Sequence, residues 1–385
     1  MKSDCRILIC GDICPTPDTE ELFHAGNADA LFNGLSNQFK QSDLVIGNLE
    51  FPLTDVGKGI TKCGPVLKGE RRCLSVLENA GFGVLGLANN HIRDCGDEGV
   101  LSTLEACESA GIDTVGAGPD PCSAREPLVV DVNGWKVGVF AFAEHEFNLV
   151  SENQAGANPL DLYYSFDQIR ELRAKCDYLI VLYHGGIEYY EYPSPVLEKK
   201  CRKLVESGAD LVLCQHSHCI GTEEKYKEGT ILYGQGNAVF GYRPDDEGWN
   251  NGLMVEVLLR KKAQPEVEIK YLPISACETG VDLLSETESL KVIESFVSRS
   301  KKLSDPEFIK RNWRSFCDEK KALYFPLLFG LGRILNKLNR ILRNRIVELF
   351  LSKERRRITM NIIRCEAHLE VTETILQDSL AERES

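Results

Sequence analysis

Short apolar runs rich in β-branched residues recur at Arg6–Cys10, Asp43–Ile46, Phe82–Leu87, Asp177–Tyr183, Asp210–Cys214 and Thr230–Tyr233. They show little polar alternation, the pattern of strands covered on both faces. Helical stretches lie between them. Asp97–Ala110 is followed by Gly111, and Ser194–Ser207 by Gly208. A glycine just past the last turn is a common helix stop. Asn133-Gly134 splits Leu128–Ala143 into two apolar runs, which predicts a tight hairpin. A second antiparallel pair is expected from Gly252 to Ile274, turning near Lys261–Pro265. Parallel βα units with added hairpins predict an α/β domain with mixed sheets over residues 1–275.

The strand pattern stops after residue 276. Ser285–Lys302, Pro306–Lys320 and Leu327–Leu376 read as helices. In the last, Leu328, Leu331, Leu335, Leu338, Ile341, Leu342, Ile346, Leu349 and Phe350 recur at steps that place them on one face. Residues 276–385 are therefore expected to form a helical C-terminal region, with a basic amphipathic helix at 327–351.

Charge separates the two parts. The formal net charge of the 385 residues is −13, yet 320–365 holds twelve Lys/Arg against Glu348 and Glu354. The remainder carries 33 basic and 56 acidic residues, a net of −23. Such a body repels nucleic acid, so no nucleic-acid partner is expected. The basic helix has two readings: an apolar face packed on protein, or a peripheral contact with an anionic membrane surface. No stretch reaches the ~18 apolar residues of a spanning helix. The N-terminus lacks the apolar run of a secretory signal, so a cytoplasmic location is expected. Fifteen Cys without a Cys-x-x-Cys pair read as free, largely buried thiols.

The chemistry sits where the strands end. Arg6–Cys10 runs into Gly11-Asp12, and Asp43–Ile46 into Gly47-Asn48-Leu49-Glu50. Phe82–Leu87 runs into Ala88-Asn89-Asn90-His91. Asp177–Tyr183 meets His184-Gly185-Gly186, and Asp210–Cys214 meets Gln215-His216-Ser217-His218. Open α/β sheets bind ligands at the carboxyl ends of their strands. Four of the seven His fall in these clusters. Mixed carboxylate, amide and imidazole donors suit divalent Mn, Zn or Fe, one ion or two.

In this order, the motifs resemble the calcineurin-like metallophosphoesterases, and within them the CapA-type proteins of poly-γ-glutamate capsule biosynthesis. The resemblance spans about residues 5–275. It is carried by Asn48–Leu53, Lys62-Cys63-Gly64-Pro65, Ala88–Gly96, Val115–Gly118, His184–Tyr189, Gly208–Val212 and Gly236–Phe240. It implies a four-layer α/β/β/α sandwich. It implies that Asp12 and His218 hold one metal, that Glu50 bridges, and that Asn90, His184 and His216 hold the second. His91 would stay off the metals and serve the leaving oxygen. The implied activity is metal-dependent phosphoester hydrolysis with metal-activated water. The alternatives are a non-hydrolytic accessory or polymer-binding role in capsule assembly, and hydrolysis of amide or γ-glutamyl bonds.

The pattern departs from the wider superfamily at two places. Asp12-Ile13-Cys14 replaces Asp-x-His, which removes one imidazole from the first site. Asn48 stands where an Asp usually bridges, with Glu50 two residues on. The expected substrate is an anionic small molecule or polymer, contacted by Lys62, Glu188 and Asn237. Lys68, Arg71 and Arg72 join Lys62 in a basic cluster, while His145 and Glu146 are candidates to line the cleft.

Overall fold

The computed structural model describes residues 3–384 except 263–265, 329, 331, 343–345 and 347–351. The chain divides into two compact units, Met1–Ile309 and Lys310–Ser385.

The first unit is built on two sheets. One contains β1 (Cys5–Ile13), β2 (Leu44–Leu49), β3 (Val84–Gly86), β4 (Asp113–Val115), β13 (Asn237–Val239), β14 (Asn251–Arg260), β15 (Glu266–Cys277) and β16 (Gly280–Leu283). Its order is β16-β15-β14-β1-β2-β3-β4, with β13 also paired to β1. The other sheet contains β6 (Leu128–Val132), β7 (Trp135–Ala143), β9 (Tyr178–His184), β10 (Leu211–Gln215), β11 (Glu223–Tyr226) and β12 (Gly229–Leu232), in the order β11-β12-β10-β9-β7-β6. A two-residue pair joins β5 (Ala117–Gly118) to β8 (Gly156–Ala157).

The side-chain period explains the layers. In β9, Tyr178, Ile180 and Leu182 enter a core shared with Ile7, Ile9, Val84 and Leu85 of the first sheet. Successive strand residues face opposite ways. The alternate residues Leu179, Val181 and Tyr183 are equally buried but lie outside that core. They face the layer of helices Ser165–Arg173 and Pro195–Glu206, which contact this sheet's strands. Both faces of β9 are thus covered, which is why its sequence shows no alternation. Helix Gly96–Ala110 contacts β4 of the first sheet. The result is the expected α/β/β/α arrangement.

Local signals placed most elements. Helix Gly96–Ala110 stops at Gly111 in the left-handed conformation, φ +70°. Helix Pro195–Glu206 begins on Ser194, whose hydroxyl accepts from the Leu197 N–H. The hairpin β6–β7 turns at Asn133-Gly134, both with positive φ. Strands β14 and β15 pair along their length, while 263–265 of the expected turn lie outside the described residues. Cys10 and Cys214 are buried free thiols, as expected.

Two expectations need correction. Strands do not stop near residue 275: β15 runs to Cys277, and β16 pairs with it. Helix Glu286–Lys301, opened by a Ser285–Glu288 capping box, then packs on β15 and β11. The body therefore continues to Ile309.

The C-terminal unit is not one long helix over Leu327–Leu376. Among the described residues its helices include Pro306–Leu328 (which begins in the body), Arg333–Ile341, Lys353–Arg364 and Glu366–Glu384. Gly330, at φ +64°, follows the first, and extended Cys365 separates the last two. Much of the predicted 327–351 helix, including Phe329, Leu331 and 347–351, lies outside the described residues. Among the described residues, no helix is long and apolar enough to cross a membrane.

Candidate metal centre

Five strands of the two sheets deliver their carboxyl ends to one place. Asp12 lies in β1 at a register shift against both neighbours. A side chain at the preceding Gly11 would put its Cβ 2.1 Å from the Gly236 carbonyl oxygen. Glycine there allows the backbone approach that pairs Asp12 with Asn237. Glu50 follows β2, Asn90 follows β3, His184 ends β9, and His216 and His218 follow β10. His216 and His218 take positive φ values of 85° and 51°, uncommon for residues other than glycine. That turn swings both imidazoles to one side of the strand end.

The donors form two overlapping sets. Donor atoms of Glu50, His184 and His216 lie within 4.8 Å of one another, and so do those of Asp12, Glu50 and His218. Glu50 is common to both. It is fully buried, and neither carboxylate oxygen has a hydrogen-bond partner. An uncompensated buried carboxylate is costly. Burial and the nearby Asp12 push its pKa well up. A divalent cation would remove that cost, so the residues present fit the implied metal. His216 agrees, because its Nδ1 is buried and has no partner. Burial holds both His216 and His184 in the neutral form a metal requires, lowering the His184 pKa to about 3.

Surrounding groups aim these donors. Asn48 Nδ2 donates to Asp12 Oδ1 at 2.7 Å and lies 3.3 Å from His184 Nδ1. The Asn48 amide thus orients the Asp12 carboxylate. Asn90 Oδ1 lies 2.9 Å from His184 Nε2, and Glu50 Oε1 lies 3.4 Å from the same nitrogen. Asn237 Oδ1 sits 2.8 Å from His218 Nδ1, while its Nδ2 donates to the Trp249 carbonyl. Accepting from Nδ1 leaves Nε2 as the lone-pair nitrogen of His218. Asn237 is therefore placed behind His218. The Cys14 thiol donates to the Pro15 carbonyl and belongs to neither donor set.

His91 belongs to neither donor set. Its Nδ1 is 2.7 Å from Asp94 Oδ2 and 3.2 Å from Lys62 Nζ. Lys62 also pairs with Asp94, and both side chains are buried. The expected anion-binding Lys62 thus lies behind His91. Arg71 and Arg72 pair with Glu105 and Glu70. Glu188 is exposed at the mouth, close enough to bear on the Glu50 carboxyl. His145 and Glu146 are both exposed, and Glu146 is close enough to bear on Lys62 and His91. Gly185 leaves room for Glu144, which pairs with Lys200 and accepts from the Gly186 N–H.

Sequence reasoning assigned no role to Asp94, Tyr189, Arg243 or Trp249. Asp94 carried a usable signal: it lies three residues after His91, within reach in one turn. Trp249 packs on His218, ring centroids 4.8 Å apart, from a segment with no motif.

With this geometry in view, comparison with known proteins is decisive. Residues 6–242 match the family described as bacterial capsule synthesis protein PGA_cap. The chain belongs to this family. The capsule biosynthesis protein CapA of Bacillus anthracis is 32% identical over 276 residues, covering 69% of this chain and 66% of that one. The PGA biosynthesis protein CapA of Bacillus subtilis (strain 168) is 28% identical over 272 residues, covering 69% and 70%. The chain thus spans about two thirds of these CapA relatives. A 5'-nucleotidase precursor from Thermus thermophilus gives a TM-score of 0.36 at 16% identity, covering 83% of this chain and 59% of that one.

Proposed function

We propose that this capsule-family protein is a metal-dependent phosphoester hydrolase acting in capsule or poly-γ-glutamate synthesis. The observation that carries the reading is Glu50, a buried carboxylate without a hydrogen-bond partner, shared by two donor sets. Asp12 and His218 would hold one divalent ion, Asn90, His184 and His216 a second, with Glu50 between them. Such ions supply Lewis-acid polarisation of a phosphoryl oxygen and lower the pKa of a nearby water.

The chain's own residues do the rest. Asp94 accepts from His91 Nδ1, which fixes the tautomer and leaves Nε2 as the nitrogen that exchanges a proton. Lys62 neutralises Asp94 and keeps that carboxylate from becoming a competing base. Asn48 and Asn237 hold Asp12 and His218 in place. The capsule setting rests on the names of the relatives.

The test has two parts. Protein purified without chelators is analysed for Mn, Zn and Fe, then assayed with bis(p-nitrophenyl) phosphate. His91→Asn should keep its metal and lose about 10²–10⁴ in kcat. A fully metallated protein with no turnover would reject the hydrolase. Polymer binding that survived loss of His184 and His216 would then assign an accessory role.

A further inference from the structure

Around an acidic cluster, each cation needs an explanation. Lys62 pairs with Asp94, Arg93 with Asp97 and Lys200 with Glu144. Arg243 is exposed, and among the described residues it has no carboxylate partner. Its guanidinium carbon lies 3.1 Å from the centre of the Trp249 ring, and one of its nitrogens donates to the Tyr189 hydroxyl at 3.2 Å.

Those two aromatics are tied to the centre. Trp249 packs on the His218 ring. The Tyr189 N–H donates to the Ser217 carbonyl, between His216 and His218, at 2.8 Å. Tyr189 adopts φ +61°, a strained conformation for a tyrosine, next to Glu188 at the mouth. The Arg243 backbone is fixed as well. Its N–H donates to Asn250 Oδ1 at 2.9 Å, and its carbonyl accepts from Asn250 Nδ2 at 2.7 Å. An arginine seated over a tryptophan ring, with its loop pinned, presents its remaining N–H groups at little entropic cost.

We propose that Arg243, seated on Trp249 and Tyr189, is the anion-binding and specificity-determining residue of this site, taking an oxyanion group of the substrate beside the metal donors. The inference rests on reading the cluster as the reacting centre. Its ligand chemistry is a phosphate or a carboxylate, which a guanidinium fork binds bidentately. With Asp12 and Glu50 among the donors and Glu146 and Glu188 close by, an anionic substrate needs such a counter-charge.

The probes are inorganic phosphate and glutarate, titrated calorimetrically into the full-length protein as purified and after Mn(II) loading. At least one should bind, and the one that does names the oxyanion. Arg243→Ala should weaken its binding about ten- to a hundredfold, the size of a charge-assisted hydrogen bond. Arg243→Lys should fall between, because a point charge lacks the fork. Tyr189→Phe removes only the hydroxyl and should cost less than either. Metal content and thermal midpoint should match wild type, separating a lost contact from a loosened Trp249. On bis(p-nitrophenyl) phosphate, KM should rise more than kcat falls. Arg243-dependent binding without turnover would keep the clamp and reject the hydrolase. Unchanged binding in Arg243→Ala, or no binding of either anion to wild type, would overturn the proposal.

Discussion

The body and the C-terminal unit use apolar residues in opposite ways. In Met1–Ile309, leucines such as Leu182 and Leu213 are fully buried between two sheets. In the C-terminal unit, Ile334, Leu338 and Ile341 are exposed, as are Ile358 and Ile363 of a later helix. The sequence around 320–365 is cationic while the rest is acidic. A polar cluster can be held to sub-ångström tolerance only where packing fixes its scaffold. The body has that packing, and the metal donors are found there. Helices Arg333–Ile341 and Lys353–Arg364 carry exposed apolar and basic residues instead.

The largest test of this contrast removes a donor from the rigid scaffold. His216→Ala should lose the ion of the Glu50–His184–His216 set and at least about 10³ in turnover, because a charge-stabilising group acts in the transition state. Elemental analysis and steady-state rates report both effects. Retained metal with normal rate would remove His216 from the site. Asn48→Ala, which only releases Asp12, should weaken metal binding by about ten- to a hundredfold.

The second test concerns the basic surface. We propose that it meets anionic lipid, each Lys or Arg near the surface contributing roughly 1 kcal/mol. Neutralising Lys337 and Arg340 to Gln in the full chain should then weaken binding to phosphatidylglycerol vesicles about thirtyfold. High salt should do the same. A full-length protein that ignores such vesicles at low salt ends this reading.

Matched truncations compare the regions directly. Leu213→Ala opens a cavity in a core that cannot collapse fully, and should cost about 2–5 kcal/mol in urea unfolding. Leu338→Ala, on an exposed helical face, should stay within about 0.5 kcal/mol. Equal losses would mean the C-terminal face is packed in solution.

The same contrast explains what could be read from sequence. Strands covered on both faces announce themselves as apolar runs, and the polar residues that end them mark the site. Asp12, Glu50, Asn90, His184, His216 and His218 were legible for that reason, and the structure brings them together. Arg243 and Trp249 were not, because Trp249 reaches His218 from a short helix and Arg243 reaches Trp249 from a loop, and nothing local records those contacts. Strand β16 was missed because Gly280–Leu283 is too short to show a period. The C-terminal helix was overextended because amphipathic spacing continues across Gly330 and Gly332, which break the backbone without breaking the pattern.

The last expected effect is a pH dependence of the body. His184 titrates near 3 when folded because burial penalises the imidazolium, and burial also lowers His216. In the metal-free protein both stay neutral while the unfolded chain takes up protons below about 6.5. The stability they contribute is therefore complete above pH 6.5 and declines as pH falls, by at most about 1.4 kcal/mol per pH unit for each ring. Glu50 works in the other direction. Its raised pKa keeps the folded carboxyl protonated while the unfolded chain ionises above about 4.5, so its contribution declines as pH rises. Two rings outweigh one carboxyl below pH 6.5, and Glu50 acts alone above it. Among these three groups, metal-free stability should pass through a maximum where the two opposing contributions balance. Glu50→Gln should flatten the alkaline side of the curve, and metal loading should stabilise most on that side. Chemical denaturation from pH 5 to 8, with and without Mn(II), reads out both limbs. An alkaline slope unchanged in Glu50→Gln would show that Glu50 is already ionised without metal, and the case for a cation at the shared position would lose its strongest support.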